Sequence, residues 1–219
     1  MCSPISACQR LLDVLSRFPE SNARTEALDR LGVTCVTLPE KEFLKIMSTQ
    51  AHWLCEAVYA AGWTRLMRHG QHEQAETLLD FFVTRFPAAE KWDDAMMLLG
   101  RAKIKLGKSE EALGIYRRLF TSTQYNNHWN EAQAEVVRIL VDMKDWKQLK
   151  EESLKLYQYD HPRGKAYAVL SYVNACMALE DRAEAVRYLE TIIADNPQDP
   201  YIPYYQQRLA EVQRECCGQ

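Results

Sequence analysis

The chain has 219 residues, 47% hydrophobic and 26% charged, with a formal charge of −3 and a pI near 6.0. Without a basic excess, general nucleic-acid binding through phosphate neutralisation is disfavoured, and 8 Gly with 8 Pro are too few for a loop-rich β protein. No apolar run approaches the roughly 18–20 residues of a membrane span, and the polar opening MCSPISACQRLLDVLSRFP lacks the charged start and apolar core of a signal peptide.

In chain order, ACQRLLDVLSRFP reads as an amphipathic helix closed by Pro19. It is similar to the later AETLLDFFVTRFP, pairing Ala7 with Ala75 and Pro19 with Pro87 at a shared offset of 68 residues. Residues 20–50 then hold one worn unit, with Ala27, Leu28 and Leu31 on one helix and Phe43, Leu44 and Met47 on another. The next unit, about 51–87, has Gly70 at a turn, Ala75 at a small site and Pro87 as terminator. The clearest unit, about 92–121, contains DDAMMLLGRAKIKLGKSEEALGIYRRLF, which reads as helix, tight turn, helix. Ala95, Leu98, Leu99, Ala102, Ile104 and Leu106 fall at helical spacing, Gly107 suits a left-handed cap and Ser109 the next N-cap. Ala112, Ile115, Tyr116 and Leu119 form the second helix's buried stripe.

An irregular linker, TSTQYNNHWN at 121–130, precedes a divergent unit at about 127–162, where Leu149 stands in the small position and Trp146 at the turn. The unit at about 163–197 supplies Ala185, Leu189, Ile192 and Pro197. Residues 198–219 form a final helix, roughly 200–215, and a tail. Ile202, Tyr205, Leu209 and Val212 make its inner stripe, and Gln206, Gln207, Arg208, Glu211 and Gln213 stay wet. Ala75, Ala112, Leu149 and Ala185 recur at intervals of 37, 37 and 36 residues, the trace of stacked helical hairpins that each repeat one packing problem.

These units resemble the tetratricopeptide repeat, whose pattern runs Trp-x2-Leu-Gly-x2-Tyr, then Ala-x3-Phe, then Pro. Leu99-Gly100 fill the Leu-Gly pair, and Ala112 with Tyr116 the Ala-x3-Phe pair, while Met96 replaces Trp and Lys103 replaces Tyr. In the preceding unit Tyr59 takes the Trp place and Leu66 the Tyr place, and Gly62-Trp63 shifts the Leu-Gly pair by one. Gly100 and Ala112 are small where two helices of a unit cross closely. The resemblance implies an all-α, right-handed α-solenoid: degenerate helices over 1–50, repeats over 51–197 and a C-terminal capping helix over 198–219.

Sites of chemistry are sparse. No Gly-rich phosphate loop, HExxH, nucleophile elbow or dinucleotide fingerprint occurs. His69, His72 and Glu73 sit at a polar turn, where a solvent-facing role outweighs metal binding, and His52 with Glu56 lacks a third ligand. Asp93-Asp94 and Glu110-Glu111 lie at helix starts, where the dipole accounts for them. Tyr157, Tyr159, Tyr204 and Tyr205 read as packing residues. Seven cysteines give an odd count without CxxC, which suits free thiols in a reducing cytoplasm. Cys55 and Cys176 fall on apolar stripes, and the vicinal Cys216-Cys217 pair leaves a redox role open. No catalysis, metal or cofactor is expected.

Binding is the expected function: a scaffold or adaptor that holds a partner peptide or helix. In tetratricopeptide arrays the first helix of each unit lines a concave groove. Carried over, that layout gives Arg68, Asp94, Met97, Arg101, Ile104, Lys105, Glu131, Arg138, Tyr167, Asn174 and Met177. Arg68, Arg101, Lys105 and Arg138 favour an acidic or carboxylate-bearing peptide, because guanidinium groups hold carboxylates bidentately. Met97, Ile104, Tyr167 and Met177 are the expected apolar anchors. Of the Lys and Asn set by which the family's chaperone-binding branch clamps a terminal carboxylate, only Asn174 matches, which argues against a heat-shock co-chaperone. Two alternatives stand beside this reading. One is self-association through Tyr125, His128 and Trp129 of the linker. The other is an envelope-assembly lipoprotein anchored through Cys2, which a native start at Met1 would remove.

Overall fold

The computed structural model describes residues 3–21, 23–122, 128–158 and 162–217. Among these residues there are helices and short connections and no strand. The helices are α1 (Pro4–Arg17), α2 (Arg24–Cys35), α3 (Glu40–Met67), α4 (His72–Arg85), α5 (Trp92–Lys105) and α6 (Ser109–Phe120). They continue with α7 (Trp129–Met143), α8 (Trp146–Tyr157), α9 (Pro162–Ala178), α10 (Arg182–Asp195) and α11 (Ile202–Cys217). The chain divides into two compact units, Met1–Ile115 and Tyr116–Gln219, with the division inside α6.

Helix ends follow local chemistry. Ser3 accepts a hydrogen bond from the Ser6 N–H to cap α1, with Pro4 opening the helix. The Asp145 and Asp181 carboxylates do the same for α8 and α10, accepting from the Gln148 and Glu184 N–H groups. Ser109, expected as an N-cap, is instead the first residue of α6.

A left-handed residue closes the first helix of four successive hairpins: Gly70 (φ 62°), Gly107 (φ 73°), Lys144 (φ 58°) and Glu180 (φ 61°). After three of them the chain folds back in the same way, the N–H groups of Lys108, Asp145 and Asp181 donating to the carbonyls of Lys103, Leu140 and Cys176 at 2.9–3.0 Å. Each left-handed residue lies five positions before Ala75, Ala112, Leu149 or Ala185, all completely buried. The repeat in the sequence is therefore a repeat in backbone geometry. Glycine signals two of the turns; the other two place a Cβ where glycine is favoured.

In the first unit α2 packs on α3 and α3 on α4 through glycine. A Cβ on Gly32 would lie 2.3 Å from the Ala57 carbonyl oxygen, and one on Gly62 would lie 2.9 Å from the Leu79 side chain. Phe43, Phe82 and Phe86 are buried and stack edge-on or tilted with Phe81 and Tyr59 at 5.2–6.4 Å between ring centres. α3 (Glu40–Met67) is two helical segments that meet at a kink, where Gln50 (φ −130°, ψ 25°) departs from helical geometry. This kink falls where the expected spans 1–50 and 51–197 meet. Of the three residues expected on the first segment, Phe43 is buried, Met47 half-buried and Leu44 exposed.

One buried cation crosses helices: Lys103 donates to Glu76 at 2.7 Å and Glu111 at 2.6 Å, and Lys108 also reaches Glu76. In the second unit, α9, α10 and α11 share a core of Val169, Tyr172, Val173, Cys176, Ala185, Leu189, Ile192, Tyr205 and Val212. Tyr205 and Val212 are fully buried with Ile202 and Leu209 packed beside them, as expected for a helix that covers a last apolar face.

Candidate functional site

An open cleft of about 650 Å³ lies in the first unit. Its floor is a stripe on α3 in which His52, Cys55, Glu56, Tyr59, Ala60 and Trp63 fall at the i, i+3, i+4, i+7, i+8 and i+11 positions of one helix face. Thr25 and Leu28 of α2 form one wall, and Ala89, Glu90 and Lys91, before α5, the other. Phe82 of α4 supports the floor, and Arg68, just after α3, stands at one end.

The cleft mixes aromatic surface with charges that are partly paired. Trp63 is 37% exposed, and the Arg68 guanidinium lies 5.4 Å from its ring centre. Glu56 pairs with Arg24, and Lys91 with Asp94 at 3.1 Å. Burial, reinforced by the Asp94 carboxylate, pushes the Tyr59 hydroxyl above its ordinary pKa. Burial and the Glu56 charge likewise push the Cys55 thiol up. Among the described residues, no group of three or more His, Cys, Asp or Glu side chains is arranged to hold a metal ion.

The eleven residues expected to line a groove fall in both units. In the first, Arg68 lines the cleft, and Asp94 pairs with the cleft's Lys91. Arg101 and Lys105 are exposed on α5 with no ion-pair partner among the described residues, and Ile104 is half-buried. Met97 is only 3% exposed and offers no anchor surface, because α5 is enclosed on several sides and Met96, Met97 and Leu98 are all buried.

In the second unit, Glu131 pairs with His128, and Arg138 is held by Glu135 at 2.6 Å and by Asp142 at 3.7 Å. Tyr167 is 37% exposed. Asn174 accepts a hydrogen bond from Arg208 of α11, and Met177 packs against the α9–α11 core. Tyr125, Cys2 and Met1 lie outside the described residues, as do the side chains of Cys216 and Cys217. The residues that build the cleft, Tyr59, Trp63 and Phe82, were missed as a site. The available signal was the polar–aromatic stripe from His52 to Trp63.

The sequence model of the tetratricopeptide repeat matches residues 94–122, which span α5 to α6. These residues carry a tetratricopeptide repeat, and the chain has the fold of tetratricopeptide-repeat proteins. Its fold is similar to that of MamA, at 17% identity, TM-score 0.52, over 88% of this chain and 93% of that one. YrrB, described as a tetratricopeptide protein with an unusual peptide-binding site, aligns at 18% identity and TM-score 0.50, over 94% of this chain and 92% of its own. Tetratricopeptide-like repeats of a kinesin light chain from Podosopora anserina align at 16% identity and TM-score 0.51, over 90% of this chain and 97% of theirs. At such identities the likeness concerns fold. No curated protein matches the sequence. No helix among the described residues is long and apolar enough to cross a membrane.

Proposed function

We propose that this protein is a non-catalytic interaction scaffold that holds a segment of a partner protein, and that the cleft on α3 is where the segment seats. The carrying observation is the open, aromatic-floored cleft itself, which presents Trp63 and Tyr59 to solvent on a helix packed on both flanks. Open apolar grooves with a few placed polar groups suit peptide side chains. The Cys55 thiol and Tyr59 hydroxyl are both raised, which disfavours either as a nucleophile and suits recognition better than turnover. The solved relative described as having a peptide-binding site lends the reading its ligand class.

Panning a displayed random peptide library on the full chain tests it. Enriched peptides should bind the purified protein at micromolar or better affinity, and Trp63→Ala should weaken them at least tenfold. Peptides that bind Trp63→Ala as well as the parent would move the site elsewhere.

A further inference from the structure

Resting on that reading, we infer that the cleft takes one bulky apolar side chain of a partner segment whose neighbouring residues are aspartate or glutamate, read by Arg68, Arg101 and Lys105. The shape argues for the anchor. A space of about 650 Å³ floored by Tyr59, Trp63 and Phe82 exceeds a single methyl or isopropyl group and matches an aromatic, leucine or methionine side chain with its flanking backbone. Trp63 keeps more than a third of its surface in water until something covers it.

Charge complementarity argues for the acidic neighbours. Within the first unit the carboxylates nearest the cleft are largely occupied: Glu56 by Arg24 and Asp94 by Lys91, leaving Glu90 at the wall. Three further cations are not so paired. Arg68, Arg101 and Lys105 are exposed and have no carboxylate partner among the described residues. Arg101 and Lys105 lie seven and eleven positions after Asp94, which are two and three helical turns on the same face of α5. Asp94 acts on Tyr59 at the cleft, so this face of α5 begins at the cleft wall and carries its unpaired charge onward. A segment anchored over Trp63 would meet Arg68 beside the anchor and the α5 cations beyond it. Guanidinium groups suit carboxylates here because two N–H donors meet two oxygens.

The test pans a displayed random 16-residue library on the full chain and measures the enriched peptides by fluorescence anisotropy. Enriched sequences should share an aromatic, leucine or methionine residue with two or more acidic residues within about one helical turn or a short extended stretch. Ala60→Phe, which fills the cleft, and the exposed pair Arg101→Glu with Lys105→Glu should each raise Kd at least tenfold. Neutralising the peptide's acidic residues should cost a similar factor, and the gap should narrow at high salt. Because Arg101 and Lys105 are solvent-exposed, their reversal tests the charge requirement with the helical circular dichroism unchanged. Enriched peptides without acidic bias, or binding unmoved by the Arg101 and Lys105 reversal, would overturn this inference and leave the scaffold reading intact. Recovery of no binding peptide would overturn both.

Discussion

A single methyl group behaves oppositely at two glycines. At Gly32 a Cβ would press on backbone, 2.3 Å from the Ala57 carbonyl oxygen, and neither helix can yield cheaply. Gly32→Ala should therefore destabilise the protein by about 1–3 kcal/mol through overpacking. Gly114 is exposed on α6 with nothing within 4 Å of a Cβ, so Gly114→Ala should stabilise by about 0.5–1 kcal/mol through helix propensity. Urea unfolding of the two variants should move the midpoints in opposite directions, and a shared sign would contradict the packing described at Gly32. The left-handed turns supply a second pair. Lys144→Gly and Glu180→Gly each relieve a Cβ at φ near 60°, and each should raise the melting temperature by about 2–4 °C, as expected for roughly 1 kcal/mol in a chain of this size. Unchanged or lowered melting temperatures would show that those side chains give more than their backbone costs.

Between helices, stability rests on small buried positions and on one cluster of charge. Ala112 is fully buried on α6, and a bulky substitute there should cost about 1–3 kcal/mol. Glu76 on α4 accepts hydrogen bonds from Lys103 and Lys108, which hold its carboxyl below the ordinary carboxylate range. The group is more acidic in the folded chain than in the unfolded one. Its stabilisation is thus full above the unfolded pKa and is lost as the pH falls through the lowered folded value. Glu76→Gln should cost about 1–3 kcal/mol near neutral pH and flatten the loss of stability below about pH 4.5. Melting curves from pH 7 to 3 read both effects, and parallel acid limbs would contradict them. At this scale much was legible in the sequence. The recurrence of Ala75, Ala112, Leu149 and Ala185 marked the hairpins, and the stripe from Ile202 to Val212 marked the terminal helix. Lys144 and Glu180 were not legible as turn residues, because nothing in a lysine or glutamate announces a left-handed backbone. Met97 was misplaced because a helix enclosed on several sides is apolar on several faces, and spacing cannot say which of them meets solvent.

For the molecule as a whole, binding should discriminate between cations that look equivalent in the sequence. Arg101 has no ion-pair partner among the described residues, whereas Glu135 and Asp142 flank Arg138. Arg101→Glu should weaken an enriched peptide several-fold more than Arg138→Glu, measured by calorimetry. Equal losses would place Arg138 in the recognition surface, and the reverse order would move that surface to the second unit. The cleft's floor depends in turn on α3, which passes through its kink at Gln50 without a connecting loop. Two helical segments thereby meet end to end at the kink, and their backbone amides should open together. In native-state hydrogen exchange, protection over 40–50 and 51–67 should converge on one free energy and one denaturant slope. A partner that stiffens the second segment at Trp63 would then slow exchange across the kink as far back as Glu40, a reach that helices separated by a longer connection would not transmit so directly.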